Sequence, residues 1–261
     1  MSARGARVFQ RYVAIGDSTT EGLDDPDGRG GYRGWANRLA EMLARENPRL
    51  LYANLAIRGL ITRQIRETQL SRAVAMKPDL STVVAGMNDL LRPRFDARAY
   101  GSDMEAMFGA LVRGGATVLS FTIPDLTPVM PLALPLRRRL MALNEQLRRA
   151  ALVTGAILVD FAAHPVASDP RIWAEDRLHV NPVGHARVAA AFADALKLPG
   201  SNASWCEPFS EPLRRGPHEL LRAEVVWVRR HFWPWLSWHL RGHTKEEVRV
   251  PKRPEMSPIE G

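Results

Sequence analysis

The sequence predicts an α/β protein whose main domain has three α/β/α layers. Two observations carry this. Short aliphatic or β-branched runs alternate with longer stretches in which apolar residues recur every three to four positions. The short runs are also apolar on successive residues, as in Ser81-Thr82-Val83-Val84-Ala85, which implies strands buried on both faces. Five strands are expected, at residues 12–15, 51–55, 80–85, 117–122 and 157–161. Helices are expected between and after them, near residues 35–45, 62–75, 96–113, 136–153 and 182–196. Buried parallel strands joined by right-handed crossovers place helices on both faces of one sheet. The domain is read as residues 1–198.

At 261 residues with 46% apolar content, the chain can bury one good-sized core and a small appendage. The net charge of +8 is spread along the chain: +6 over residues 1–200 (26 Lys/Arg, 20 Asp/Glu) and +2 over residues 201–261 (10 and 8). No basic block, helix-turn-helix or zinc-finger spacing accompanies it, so nucleic acid is not expected as a partner. Cys206 is the single cysteine, which rules out an intrachain disulfide and a multi-cysteine zinc site. The basic N-terminus leads into an apolar run far shorter than the roughly 7–15 residues of a signal-peptide core. No run approaches the ~18 apolar residues of a membrane span. A cytoplasmic location is the expectation, with peripheral membrane contact left open by the C-terminal region.

Four short segments carry chemistry: Gly16-Asp17-Ser18, Gly59, Gly86-Met87-Asn88-Asp89 and Asp176-Arg177-Leu178-His179. Ser18 and Asn88 follow predicted strands, Gly59 lies in the loop after the second, and His179 lies in a loop beyond the fifth. In an open parallel sheet, ligands bind beyond the carboxyl ends of the strands, so these distant residues meet on one edge. Ser18, at a tight turn into a helix, can present its hydroxyl as a nucleophile. His179 suits the general base, and Asp176 reaches its other ring nitrogen if the segment turns back on itself. The Ser18 and Gly59 backbone N–H groups and the Asn88 amide supply three donors for an oxyanion. The expected catalytic residues are therefore Ser18, His179 and Asp176, with Ser18, Gly59 and Asn88 forming the oxyanion hole.

In this order the segments resemble the SGNH, or GDSL-type, esterase and acylhydrolase superfamily, with Ser18, Gly59, Asn88 and His179 as its signature residues. The likeness covers residues 8–198 and includes Asn181-Pro182-x-Gly184-His185 after the Asp-x-x-His segment. It implies a flavodoxin-like sheet of five parallel strands, no cofactor and no metal. Thr19 stands where the family's tetrapeptide has Leu, which bears on substrate shape more than on activity. The function read here is a serine esterase or acylhydrolase working through a covalent acyl-enzyme on a small-molecule or lipid ester. Acyl transfer by the same residues and a non-catalytic scaffold are the alternatives.

Other residues have plainer readings. Asp17 is read as a turn and helix cap, and Asp89 as satisfying backbone donors. Asp176, His179 and His185 have the composition of a metal site, but capping and packing explain His185 better. Asn144, Glu145 and Gln146 are read as a solvated helix face, and Trp35 and Trp173 as packing residues. A polar loop (23–34) and a proline-rich apolar loop (123–136) are expected to shape the substrate site, the latter as a lid or acyl wall. Arg137, Arg138 and Arg139 follow it and are either a solvated helix face or a seat for an anionic head group.

Beyond residue 198 a linker is expected, then an amphipathic extension (199–242) holding five of the seven tryptophans: Trp205, Trp227, Trp233, Trp235 and Trp238. A helix from 217 to 232 aligns Leu221, Val225, Val228 and Phe232, flanked by Arg222, Arg229 and Arg230. It has the character to pack on the domain, to lie on an anionic membrane through residues 217–242, or to bind a partner. Residues 243–261 read as a disordered tail.

Overall fold

A computed structural model of the chain describes residues 8–211, 216–234 and 250–259. Its centre is a sheet of six strands in the order β5-β4-β3-β1-β2-β6. The strands are β1 (Arg11–Gly16), β2 (Leu51–Asn54), β3 (Leu80–Val84), β4 (Thr117–Phe121), β5 (Ile157–Val159) and β6 (Arg253–Pro258). The first five run parallel, each within one or two residues of its expected position. The order reverses at β1 and β3, whose pairing runs from Tyr12↔Leu80 to Gly16↔Val84. That reversal opens a crevice beyond their carboxyl ends.

Alternation along β1 assigns the two faces. Tyr12 and Ala14 join a core with Trp35, Leu39, Phe121 and Phe192. Val13 and Ile15 point the other way, into a core with Ile65, Met104, Phe108 and Leu147. The first face is covered by α2 (Gly34–Glu46) and α7 (Pro182–Ala195), the second by α3 (Thr62–Ala75), α5 (Ala97–Arg113) and α6 (Arg137–Thr154). Two one-turn helices, α1 (Ser18–Glu21) and α4 (Met87–Leu90), start just beyond β1 and β3. Trp35 and Trp173 are both buried.

The sheet corrects the sequence reading in one respect: it has six strands, not five. β6 lies within the stretch read as a disordered tail, and pairs antiparallel with β2 through Leu51↔Pro258 and Tyr52↔Ser257. Its sequence, Arg-Pro-Glu-Met-Ser-Pro, is charged and holds two prolines, which argue against a central strand. An edge strand bonds on one side only and tolerates proline. The packed body also continues past Leu198: Trp205 is buried and stacks on Phe161 at 5.7 Å.

The expected C-terminal helix forms as α8 (Pro217–Trp227), continuing as a wider π-type turn to Phe232. Its inward residue is not the one expected. Val225, from the predicted apolar stripe, is 51% exposed, whereas Trp227 is 5% exposed. Trp233 also faces outward. Trp235, Trp238 and the side chains of Leu221 and Phe232 lie outside the described residues. Among the described residues, no helix is long and apolar enough to cross a membrane.

Candidate active site

At the end of β1 the chain turns sharply into α1. Asp17 caps this helix, its Oδ1 accepting from Thr19 N–H at 3.0 Å. Ser18 is thereby the first helical residue, and is 8% exposed. A side chain at position 16 would lie 2.5 Å from Val84 O and 2.3 Å from Thr20 Oγ1, so only glycine lets the turn pass this close to β3. Burial pushes the Asp17 carboxyl up to about 6, against the hydrogen bond from Thr19 and the attraction of His179.

Asp176 and His179 sit on a tight loop between the 3-10 turns after β5 and α7. Arg177 takes a positive φ of 60°, and the segment closes through Ala174 N–H to His179 O at 2.9 Å. The chain therefore turns back on itself, as the Asp-x-x-His spacing requires. Asp176 Oδ1 accepts from the backbone N–H groups of Leu178 (2.9 Å) and His179 (3.0 Å). Its Oδ2 lies 2.6 Å from His179 Nδ1, and His179 Nε2 lies 2.8 Å from Ser18 Oγ. This network assigns the tautomer, with Nδ1–H donating to Asp176 and Nε2 accepting from the Ser18 hydroxyl.

The electrostatics follow from the same contacts. Burial alone would lower the His179 pKa. The hydrogen bond and charge of Asp176, with Asp24 and Asp17 beyond, outweigh it and hold the imidazole above its usual value. Burial would raise Asp176, but the bonds from His179 and from the loop N–H groups keep it below the ordinary carboxylate value. Asp24, on the polar loop after α1, brings Oδ2 to 3.6 Å from His179 Nδ1.

Of the other two predicted residues, Asn88 contacts Asp17 beside Ser18, and Gly59 precedes Leu60, whose carbonyl Asn88 binds. Gly59 adopts φ 83°, a left-handed conformation that glycine takes freely, and is exposed to solvent. Its neighbour Arg58 is bound to α1: Arg58 N–H donates to Glu21 Oε2 at 3.0 Å and the guanidinium pairs with the same carboxylate. Asn88 sits in α4, at the end of β3. Its amide donates to Leu60 O at 3.0 Å and makes a longer contact of 3.4 Å with Asp17 Oδ2. Asp89 accepts from both Thr62 N–H (3.0 Å) and Thr62 Oγ1–H (2.9 Å), serving the first turn of α3.

Asn181 caps α7, accepting from Val183 and Gly184 N–H while its amide donates to Arg171 O and Trp173 O. His185 does not join the site. It is fully buried, its Nδ1 accepts from Trp35 N–H (3.1 Å), and its Nε2–H donates to Leu23 O (2.8 Å). Burial drives its pKa down to about 4, so it stays neutral and both nitrogens are occupied. That removes it from any metal-ligand set. Asp24, Asp176 and His179 do approach one another closely, but the last two are committed to each other.

Sequence reasoning missed two side-chain amides that hold the strand ends. Gln69 on α3 is 2% exposed and binds Gly16 on both sides: Gly16 N–H donates to Oε1 and Nε2–H donates to Gly16 O, each at 2.9 Å. Asn144, read as a solvated helix position, is 6% exposed and clamps Ile123 just after β4 in the same way, at 3.0 and 2.7 Å. The only available signal was their uncharged, amide-bearing type within otherwise charged stretches. The candidate anion seat also changes. Arg137 pairs with Asp125, and Arg139 donates to the carbonyls of Leu90, Arg92 and Pro93.

A match to the GDSL-like Lipase/Acylhydrolase family spans residues 14–187, a stretch that includes Ser18, Gly59, Asn88, Asp176 and His179. The chain belongs to this family. It is a hydrolase of ester bonds, of the serine type. Among solved structures, the chain is similar to LAE5, an alpha/beta hydrolase enzyme from the metagenome of Lake Arreo, Spain, with 23% identity, a TM-score of 0.62, and coverage of 74% of this chain and 97% of that one. It is also similar to Axe2, an acetylxylan esterase from Geobacillus stearothermophilus, with 19% identity, a TM-score of 0.61, and coverage of 77% and 97%. These likenesses bear on the fold. No curated protein matches the chain.

Proposed function

We propose that the chain cleaves carboxylic esters through a covalent acyl-enzyme on Ser18, with His179 as general base and acid and Asp176 as its orienting partner. The observation that carries this reading is the continuous hydrogen-bonded chain from Asp176 Oδ2 through His179 to Ser18 Oγ, at 2.6 and 2.8 Å. As Oγ bonds to the ester carbonyl carbon, its proton passes to Nε2 and the carbonyl π-electrons move onto oxygen. Collapse of this intermediate expels the alkoxide, which leaves with the proton from Nε2. Water then attacks the acyl carbon by the same route, releasing the acid and restoring the Ser18 hydroxyl.

The oxyanion is assigned to Ser18 N–H, Gly59 N–H and the Asn88 amide. Ser18 N–H belongs to the first turn of a helix, where no intrahelical acceptor exists. The Asn88 amide is held by Leu60 O, and its second proton makes only the long contact with Asp17, leaving it available to substrate oxygen. Structures of Axe2 include catalytic mutants in which a serine, an aspartate or a histidine is replaced by alanine, the same three residue types. Fluorophosphonate labelling tests the assignment. Wild type is expected to be labelled and to hydrolyse p-nitrophenyl acetate, whereas Ser18→Ala loses both; retained hydrolysis in the variant rejects Ser18 as the nucleophile.

A further inference from the structure

The family match ends at residue 187, yet α8, some thirty residues beyond it, lies against the Asp176–His179 loop. Trp227 Nε1–H donates to the backbone carbonyl of Asp176 at 3.0 Å. Arg177, the positive-φ residue of that loop, pairs with Glu224 at 2.6 Å and stacks over the Trp227 ring at 5.0 Å. One turn of α8 thus grips the loop at two adjacent residues.

Between α8 and the proline-rich 3-10 turn (Pro131–Leu136) runs a cleft of about 490 Å³, within the size range of small-molecule sites. Its walls are largely apolar, with Met130, Leu132 and Leu136 on one side and Trp227 on the other, Leu178 and His179 between them, and Arg230 and His231 of the π-type turn after α8 at its polar margin. Leu132, on the rim of the cleft, is 52% exposed and open to a bound chain. A second cleft of about 480 Å³ shares Trp227, Arg230 and His231 with the first but is also lined by Glu175, Arg177 and Glu224, and does not include His179.

We propose that Trp227 is a specificity-determining residue: it forms one wall of a subsite for the hydrocarbon chain of an ester, while bracing the loop that carries Asp176 and His179. This rests on the assignment of Ser18, His179 and Asp176 above. The substrate class is an ester with an extended apolar chain, supplied either by the acyl group or by the alcohol. Each fully buried methylene is worth roughly fourfold in kcat/KM, so a chain filling even part of the cleft gives a pronounced chain-length preference.

The test compares kcat/KM for p-nitrophenyl octanoate with that for the acetate, and in a parallel arm octyl acetate with ethyl acetate, using the full chain. Wild type is expected to favour the longer chain in one series, and that series identifies which half of the ester occupies the cleft. Trp227→Ala, which removes a wall, and Leu132→Trp, which fills the space from the opposite side, are each expected to lower that preference at least tenfold. Trp227→Phe keeps the wall but not the N–H donor; it is expected to keep the preference while lowering kcat on every ester. A flat chain-length profile in wild type, or one unchanged in both Trp227→Ala and Leu132→Trp while acetate is still cleaved, overturns the subsite and leaves the Ser18 assignment standing. Absence of both acetate cleavage and fluorophosphonate labelling in wild type would overturn both.

Discussion

His179 holds its proton more tightly than a free imidazole, because Asp176 at 2.6 Å favours the charged ring more than burial disfavours it. In its proposed role as general base His179 must be unprotonated, so the acidic limb of the kcat/KM profile is expected above pH 6.5, the ordinary histidine value. Asp176→Asn removes the negative charge that raises the pKa and disturbs the tautomer. The expected outcome is a limb displaced to lower pH together with a loss of about 10⁴ in kcat, by analogy with the serine-protease triad. A limb that stays in place would mean that Asp176 does not set the charge on His179. The Asn88 amide acts on a different quantity. In the proposed oxyanion hole its donor meets charge that develops only in the transition state, so Asn88→Ala is expected to lower kcat by about 10²–10³ and leave KM nearly unchanged. Steady-state kinetics on a soluble ester separates the two effects.

Helices α3 and α6 contribute more than apolar cover. Each sends one amide side chain into the sheet to pair both polar groups of a single residue at a strand end, Gln69 at Gly16 and Asn144 at Ile123. Gly16 stands two residues before Ser18, so the Gln69 pair fixes where the turn that carries Ser18 begins. Gln69→Leu keeps the volume but leaves a buried N–H unpaired, at a cost of about 1–3 kcal/mol. It is expected to lower Tm by several degrees and to lower kcat, since ~1 Å of displacement at a reacting group can cost about 10². An unchanged kcat with a lowered Tm would make Gln69 structural only. These clamps also mark where sequence reading stops. The five parallel strands and their helices were legible because unbroken apolar runs and 3.6-residue periodicity have few alternative folds. That Ser18, His179 and Asp176 come into contact, with Asn88 beside Asp17, was legible because the ends of parallel strands share one edge. Gln69 lies in Arg-Glu-Thr-Gln-Leu and Asn144 in Leu-Asn-Glu-Gln, where a polar residue looks solvated unless the register of its helix against the sheet is known. Trp227 stands out in the sequence only as one of five C-terminal tryptophans; its inward direction depends on the docking of α8, which local periodicity does not set.

At the scale of the whole molecule, the C-terminal segment packs against the turn that carries Ser18. β6 covers the outer edge of β2, which would otherwise present unpaired backbone groups to other chains. Just before β6, Lys252 reaches back across the sheet edge, donating to Glu21 O at 3.0 Å and Arg33 O at 2.8 Å. Glu21 is the last residue of α1 and also holds Arg58 beside Gly59, so the tail, α1 and the Gly59 loop share one anchoring point. Burial pulls the Lys252 pKa down to about 8, against the attraction of Glu21, Asp27 and Asp25. The folded value is depressed, so between about pH 8 and the unfolded value near 10.4 the unfolded chain binds the extra proton. Stability from this site therefore rises with pH across that window, and the cost of burying the charge is fully present below about pH 8. Lys252→Met removes the titration together with both donated bonds. The Tm of wild type minus that of Lys252→Met is expected to increase as pH is raised from 7 to 10, by an amount equivalent to about 2–3 kcal/mol. A difference that stays constant across this range would mean that Lys252 is solvated and that the tail does not seat on α1.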